Sequence, residues 1–75
     1  MNITTQDDLL LFLGAAVKAQ RSKLNLSQEQ LADICGFDRT YISLIERGKR
    51  NISFSNLNQL SQGLEMTISE LTKEI

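Results

Sequence analysis

Between Ser27 and Gly48 the chain carries two helix starts and two helix stops, which leaves room only for two short helices meeting at a tight corner. Ser27 followed by Gln30 is a capping box, in which the Ser hydroxyl accepts the amide of residue 30 and the Gln side chain reaches back to the amide of residue 27. Leu31, Ala32 and Ile34 lead to Cys35, and Gly36 then suits the left-handed backbone of a turn. Asp38 is placed as the next N-cap, so a helix is predicted over 39–47 with Gly48 as its stop. Ile42 and Ile45, three apart, face inward, which leaves Arg39, Thr40, Ser43, Leu44 and Arg47 on the outer surface. Asp38 reads as a cap rather than a base reader, and Cys35 as a small core residue.

The same signals extend to both sides. A first helix is predicted over 7–23, with acids at its start, bases at its end and a buried stripe of Leu10, Leu13, Val17 and Leu24. Leu9, Leu11 and Phe12 widen that apolar surface and are expected to complete the core. Residues 49–52 form a loop. Ser53 caps a fourth helix ending near Gly63, with Leu57, Leu60 and Leu64 inside. Thr67 and Glu70 form a second capping box that opens a last helix over 68–75. No segment alternates, so the expectation is an all-α, compact five-helix bundle forming a single domain over 1–75.

Composition narrows the function. The chain has 75 residues, one Cys and no His, which excludes an intrachain disulfide and leaves too few soft ligands for zinc. No metal or cofactor is expected. Paired carboxylates, a Cys/His arrangement and a Gly-rich phosphate loop are all lacking, so the chain reads as a binding protein and not an enzyme, with no small-molecule substrate. The four Gly read as turn and helix-end residues. The apolar run 9–13 is far short of the roughly 20 residues that cross a bilayer, and the lone Cys suits a reducing cytoplasm. The net charge of −1 conceals an asymmetry. Residues 18–50 hold seven bases against four acids, whereas both flanks are net negative. Local fields steer a polyanion more than the total does.

Two short helices joined by a Gly-containing turn have the form of a helix-turn-helix, here over about 28–47. Ala32 is small where the two axes cross, and Leu31, Phe37, Ile42 and Ile45 lock the angle. The outward helix can then place its N-terminal end in the roughly 12 Å major groove. The run LSQEQLADICGFDRTYISLIERGKRNIS resembles the lambda-repressor and Cro (XRE-like) type of helix-turn-helix. Within it, DRTYISLIERGKRNIS is similar to the controller proteins of bacterial restriction-modification systems. The likeness covers residues 13–71.

The resemblance implies a transcription regulator that binds a double-stranded operator, and it implies roles for particular residues. Gln28 matches a position that bonds a phosphate and braces the recognition helix. Arg39 and Thr40 match base-reading positions, with Ser43 and Leu44 further along that face. Tyr41, Arg50 and Asn51 match positions at the DNA backbone, and Arg21 and Glu46 match a structural ion pair. Chemistry supports several of these. Arg39 offers two parallel donors to guanine O6 and N7, and the Thr40 methyl suits a thymine methyl. Arg47, Lys49 and Arg50 are cations placed for phosphates, and the start of the fourth helix offers free amides to another. One recognition helix covers few base pairs, so a homodimer on a pseudo-palindrome is expected, with Met66, Ile68, Leu71 and Ile75 as its interface. Occupancy would then block or recruit RNA polymerase. The alternative is an antitoxin-type interaction module that autoregulates its operon, and it is disfavoured because helices fill almost all of the sequence.

Overall fold

A computed structural model describes residues 5–75. Five helices follow in order: α1 (Gln6–Lys23), α2 (Gln28–Cys35), α3 (Arg39–Glu46), α4 (Phe54–Gly63) and α5 (Ile68–Thr72). No strand occurs among the described residues.

Each helix opens on a side-chain oxygen that takes an otherwise orphaned amide. Ser27 Oγ accepts from Gln30 N at 3.0 Å while Gln30 Oε1 accepts from Ser27 N at 2.8 Å. Asp38 Oδ1 accepts from Thr40 N at 2.8 Å, and Ser53 Oγ from Asn56 N at 3.2 Å. The Thr67–Glu70 box is closed in both directions. Thr5 caps α1 through Asp8 N at 3.0 Å, which starts that helix one residue before its expected position.

Four helices end in one motif. Asn25, Gly36, Gly48 and Glu65 have φ of 59°, 76°, 69° and 59°. The amide just after each returns five residues: Leu26 to Arg21 O at 3.1 Å, Phe37 to Ala32 O at 2.8 Å, Lys49 to Leu44 O at 2.9 Å and Met66 to Ser61 O at 2.9 Å. This satisfies helix-end carbonyls and turns the chain sharply. Asn and Glu stand at two of these left-handed positions, where sequence alone gives a weaker stop signal than Gly does. The motif also ends α3 at Glu46, with Arg47 as the cap and Gly48 beyond it.

The core is Leu13, Val17, Leu31, Ala32, Cys35, Ile42, Ile45, Leu60, Leu64 and Leu71. Leu31, Ile42, Ile45, Leu60 and Leu64 are fully enclosed, and each stabilises the fold by about 1.5–3 kcal/mol relative to exposure. Two of the polar tethers between helices end on helix-end carbonyls. Gln20 Nε2 donates to the Leu64 carbonyl at 3.0 Å, and Gln59 Nε2 donates to the Cys35 carbonyl. Burial pushes the Cys35 thiol up from its ordinary value, which keeps it protonated and inert.

Several sequence-based expectations need correction. Leu9, Leu11 and Phe12 do not complete the core: they are 40%, 55% and 46% exposed, because the buried side of α1 runs through Leu13, Gly14 and Val17, and Leu11 meets only the Gly48 turn at its edge. Leu10 and Leu24 of the expected stripe are only half-buried. Leu71 lies 3% exposed inside the core of its own chain, which removes it from any surface offered to a partner. The last helix ends at Thr72 rather than Ile75. Finally, Gly14 is not at a helix end. It sits within α1, where a Cβ would lie 2.5 Å from the Ile45 carbonyl oxygen and 2.6 Å from that of Glu46. Only Gly lets α1 approach the end of α3 this closely.

Candidate nucleic-acid interface

The outward face of α3 follows from the two residues that cannot face out. Ile42 and Ile45 are 0% and 1% exposed, so helical geometry turns Arg39, Thr40, Ser43, Leu44 and Arg47 the other way. Arg39, Thr40 and Arg47 are exposed, while Ser43 and Leu44 are half-buried on the same side. Lys49, Arg50 and Asn51 follow in an exposed loop. Asn51 Oδ1 accepts the Ile52 amide at 3.0 Å, which leaves its side-chain NH2 as the outward donor.

Behind this face runs a chain of hydrogen bonds that joins three helices. Arg21 of α1 donates from Nε to Glu46 Oε2 at 2.6 Å and from Nη2 to Glu46 Oε1 at 3.0 Å. Its remaining nitrogen, Nη1, donates to the Leu26 carbonyl at 2.7 Å. Gln28 Nε2 also donates to Glu46 Oε1, at 3.1 Å. On the other side of the same amide, Gln28 Oε1 accepts from Arg39 Nη1 at 3.4 Å. Glu46 can only accept, so it fixes which way the Gln28 amide points, and thereby which atom meets Arg39. The Glu46 side chain is 3% exposed and that of Arg21 is 13% exposed. The hydrogen bond that Arg21 donates to Glu46 is the main cause that raises its guanidinium above its already high ordinary value.

A second set of contacts ties the far side of the interface to α4. Tyr41 packs edge-on to Phe37 at 5.0 Å between centroids and 74° between planes. Its hydroxyl accepts from Asn56 Nδ2 at 3.1 Å, and the Arg50 guanidinium carbon lies 5.3 Å from the ring centroid. Arg50 is thereby held at the loop surface with its charge outward. The N-terminus of α4, capped by Ser53, opens beside these residues.

Electrostatics completes the picture. Among the described residues the one ion pair is Arg21–Glu46. Arg39, Arg47, Lys49 and Arg50 therefore have no carboxylate partner, and together they form a cationic face on a chain of net charge −1. No group of three or more potential metal-ligating His, Cys, Asp or Glu residues occurs among the described residues. Nor is any described helix long and apolar enough to cross a membrane.

Sequence reading placed most of this face, and the resemblance gave the Arg21–Glu46 pair behind it, but the bonds from Gln28 to Glu46 and from Asn56 to Tyr41 were missed. The Gln28–Glu46 bond spans 18 positions and Asn56–Tyr41 spans 15, so no local pattern announces either. Gln20 left a faint signal, since it stands three residues beyond Val17 at the edge of the buried stripe.

A compact set of helices in which a glycine corner holds a short cationic helix outward defines the helix-turn-helix class, and the chain belongs to the helix-turn-helix family, whose model matches residues 17–71. Within that class its similarity is to control proteins. It is 50% identical over 58 residues to control protein C.MunI of a Mycoplasma species, covering 77% of this chain and 78% of the relative. The crystal structure of the restriction-modification controller protein C.AhdI from Aeromonas hydrophila superposes with a TM-score of 0.80 at 39% identity, over 83% of this chain and 94% of that one. The controller protein C.Esp1396I, solved as a tetramer with its natural 35 base-pair operator, superposes with a TM-score of 0.81 at 35% identity, over 88% of this chain and 87% of that one.

Proposed function

We propose that the protein is a sequence-specific, double-stranded DNA-binding transcription regulator of the restriction-modification controller type. The observation that carries this reading is the unpaired cationic face of α3 and its following loop, braced from behind by Arg21, Glu46 and Gln28. In this reading Arg39 and Thr40 read base edges, with Ser43 and Leu44 along the same groove wall. Gln28, Tyr41, Arg47, Lys49, Arg50 and Asn51 engage the sugar-phosphate backbone and set the register. The second Nε2 proton of Gln28, free of Glu46, serves a phosphate. The amides at the start of α4 serve another.

A homodimer supplies the second half-site. With Leu71 committed to the core, its surface is Met66, Ile68 and Ile75, all half-buried in the single chain. An isologous pairing there sets two copies of α3 on one side of the duplex. Binding then blocks or recruits RNA polymerase according to where the operator lies, in the cytoplasm of a bacterial cell. The role is that of a binding protein rather than a catalyst.

Selection of bound duplexes from a random pool tests this reading. The expected product is a two-fold motif with a guanine in each half-site. Failure to retain any duplex even at low salt, where phosphate contacts are strongest, overturns it.

A further inference from the structure

We infer that Asn56 is a positioning residue for the DNA backbone: its amide NH2 holds the Tyr41 hydroxyl so that the phenol proton points outward to a phosphate. This rests on the function proposed above and adds to it a residue of α4 that acts through Tyr41. Tyr41 stands in the first turn of α3 and Asn56 in the first turn of α4, and both are half-buried. Among the described residues, the bond from Asn56 Nδ2 to the Tyr41 hydroxyl at 3.1 Å is the one side-chain hydrogen bond between these two helices. Ser53 Oγ takes the Asn56 backbone amide at 3.2 Å, which pins the turn from which the side chain reaches. The Tyr41 ring is fixed from two more sides. Phe37 meets it edge-on at 5.0 Å, and the Arg50 guanidinium carbon lies 5.3 Å from its centroid.

A phenol has one proton to give and lone pairs with which to accept, whereas a phosphate oxygen only accepts. With the Asn56 NH2 on the inner side of the hydroxyl, the proton is left for the outer side. The amide donation and the cation over the ring both draw electron density from the phenol, which makes its O–H a stronger donor. The free protein thus already holds the arrangement that the complex needs, so little ordering remains to oppose binding at this point. An acceptor in place of the amide NH2 would do the reverse, pulling the proton inward and turning a lone pair toward the phosphate.

Asn56→Leu has the same branching, keeps the backbone amide that Ser53 caps, and removes the donor. Its affinity for a duplex retained in the selection above, measured alone and combined with Tyr41→Phe, tests the link. Tyr41→Phe is expected to weaken binding about tenfold, the scale of one hydrogen bond to a charged group. Asn56→Leu is expected to cost about threefold in the parent and almost nothing further once the hydroxyl is gone. Tyr41 is the sole Tyr and the chain has no Trp, so its Raman doublet, whose intensity ratio reports whether a phenol donates or accepts, is read without overlap in the free protein. That ratio is expected to change in Asn56→Leu while circular dichroism stays that of the parent. The inference is overturned if Asn56→Leu costs nothing, if its loss adds in full to that of Tyr41→Phe, or if the doublet is unchanged. A parent that retains no duplex overturns the proposed function and this link with it, whereas additive losses overturn the link alone.

Discussion

Glu46, in the last turn of α3, accepts two hydrogen bonds from Arg21 of α1 at 2.6 and 3.0 Å, and the pair is almost wholly screened from water. The same carboxylate holds Gln28, which in turn meets Arg39. A structural ion pair thus lies one side chain away from the residue proposed to read bases. Removing one partner strands a buried charge, at a cost of about 3 kcal/mol. Arg21→Met is expected to lower stability by that order in urea denaturation, while Arg21→Met combined with Glu46→Leu recovers much of it. Equal losses in the single and double variants would show that the pair acts by more than charge compensation.

Arg39 and Arg50 are expected to fail in different ways. Arg39→Ala should cost roughly 1–3 kcal/mol of operator affinity and relax the preference at one base pair of each half-site. Arg50→Ala should weaken binding to all sequences alike and reduce the salt slope by about one phosphate contact. Titrations of matched and scrambled duplexes over a range of salt distinguish the two. If Arg39→Ala leaves both affinity and preference intact, the assignment of base readout to Arg39 is wrong.

Glu65 sits at φ 59° just after α4, where a side chain carries a steric penalty that Gly escapes. Its side chain is exposed and makes no hydrogen bond to the described residues that a replacement would break. Glu65→Gly is expected to stabilise the protein by about 1 kcal/mol, which for a chain of this size raises Tm by about 4–8 °C. A scanning calorimetry trace with an unchanged or lower midpoint would count against the cap geometry at this turn.

The Glu70 carboxylate is held below its ordinary range, chiefly by the backbone amide of Thr67 and then by the Thr67 hydroxyl. A group whose folded value is depressed stabilises above its unfolded value and loses that contribution as pH falls through the folded value. The start of α5 should therefore loosen on acidification through and below the carboxylate range, with neutral pH unaffected. Amide exchange at Glu70 and Leu71, followed with pH, should show this, and Glu70→Gln should remove the dependence.

Helix number, order and most boundaries were legible in the sequence because the forces that set them act within about five residues. The Ser27–Gln30 and Thr67–Glu70 boxes, the Asp38 and Ser53 caps and the corner at Gly36 each satisfy amides or carbonyls only a turn away, so their signatures sit side by side in the chain. The outward face of α3 was legible for the same reason, since burying Ile42 and Ile45 leaves Arg39, Thr40 and Arg47 no other place. Tertiary structure alone decided the rest. Phe12 and Leu13 are equally apolar neighbours, yet only Leu13 is buried, because α3 and α5 cover one side of α1 and leave the other bare. Leu71 went to the core of its own chain and Gly14 to a backbone crossing by the same kind of choice. The Arg21–Glu46 pair, 25 positions apart, was reached only through the resemblance, and the bonds from Gln28 to Glu46 and to Arg39, 18 and 11 apart, were not, because such partners meet only after the helices have packed.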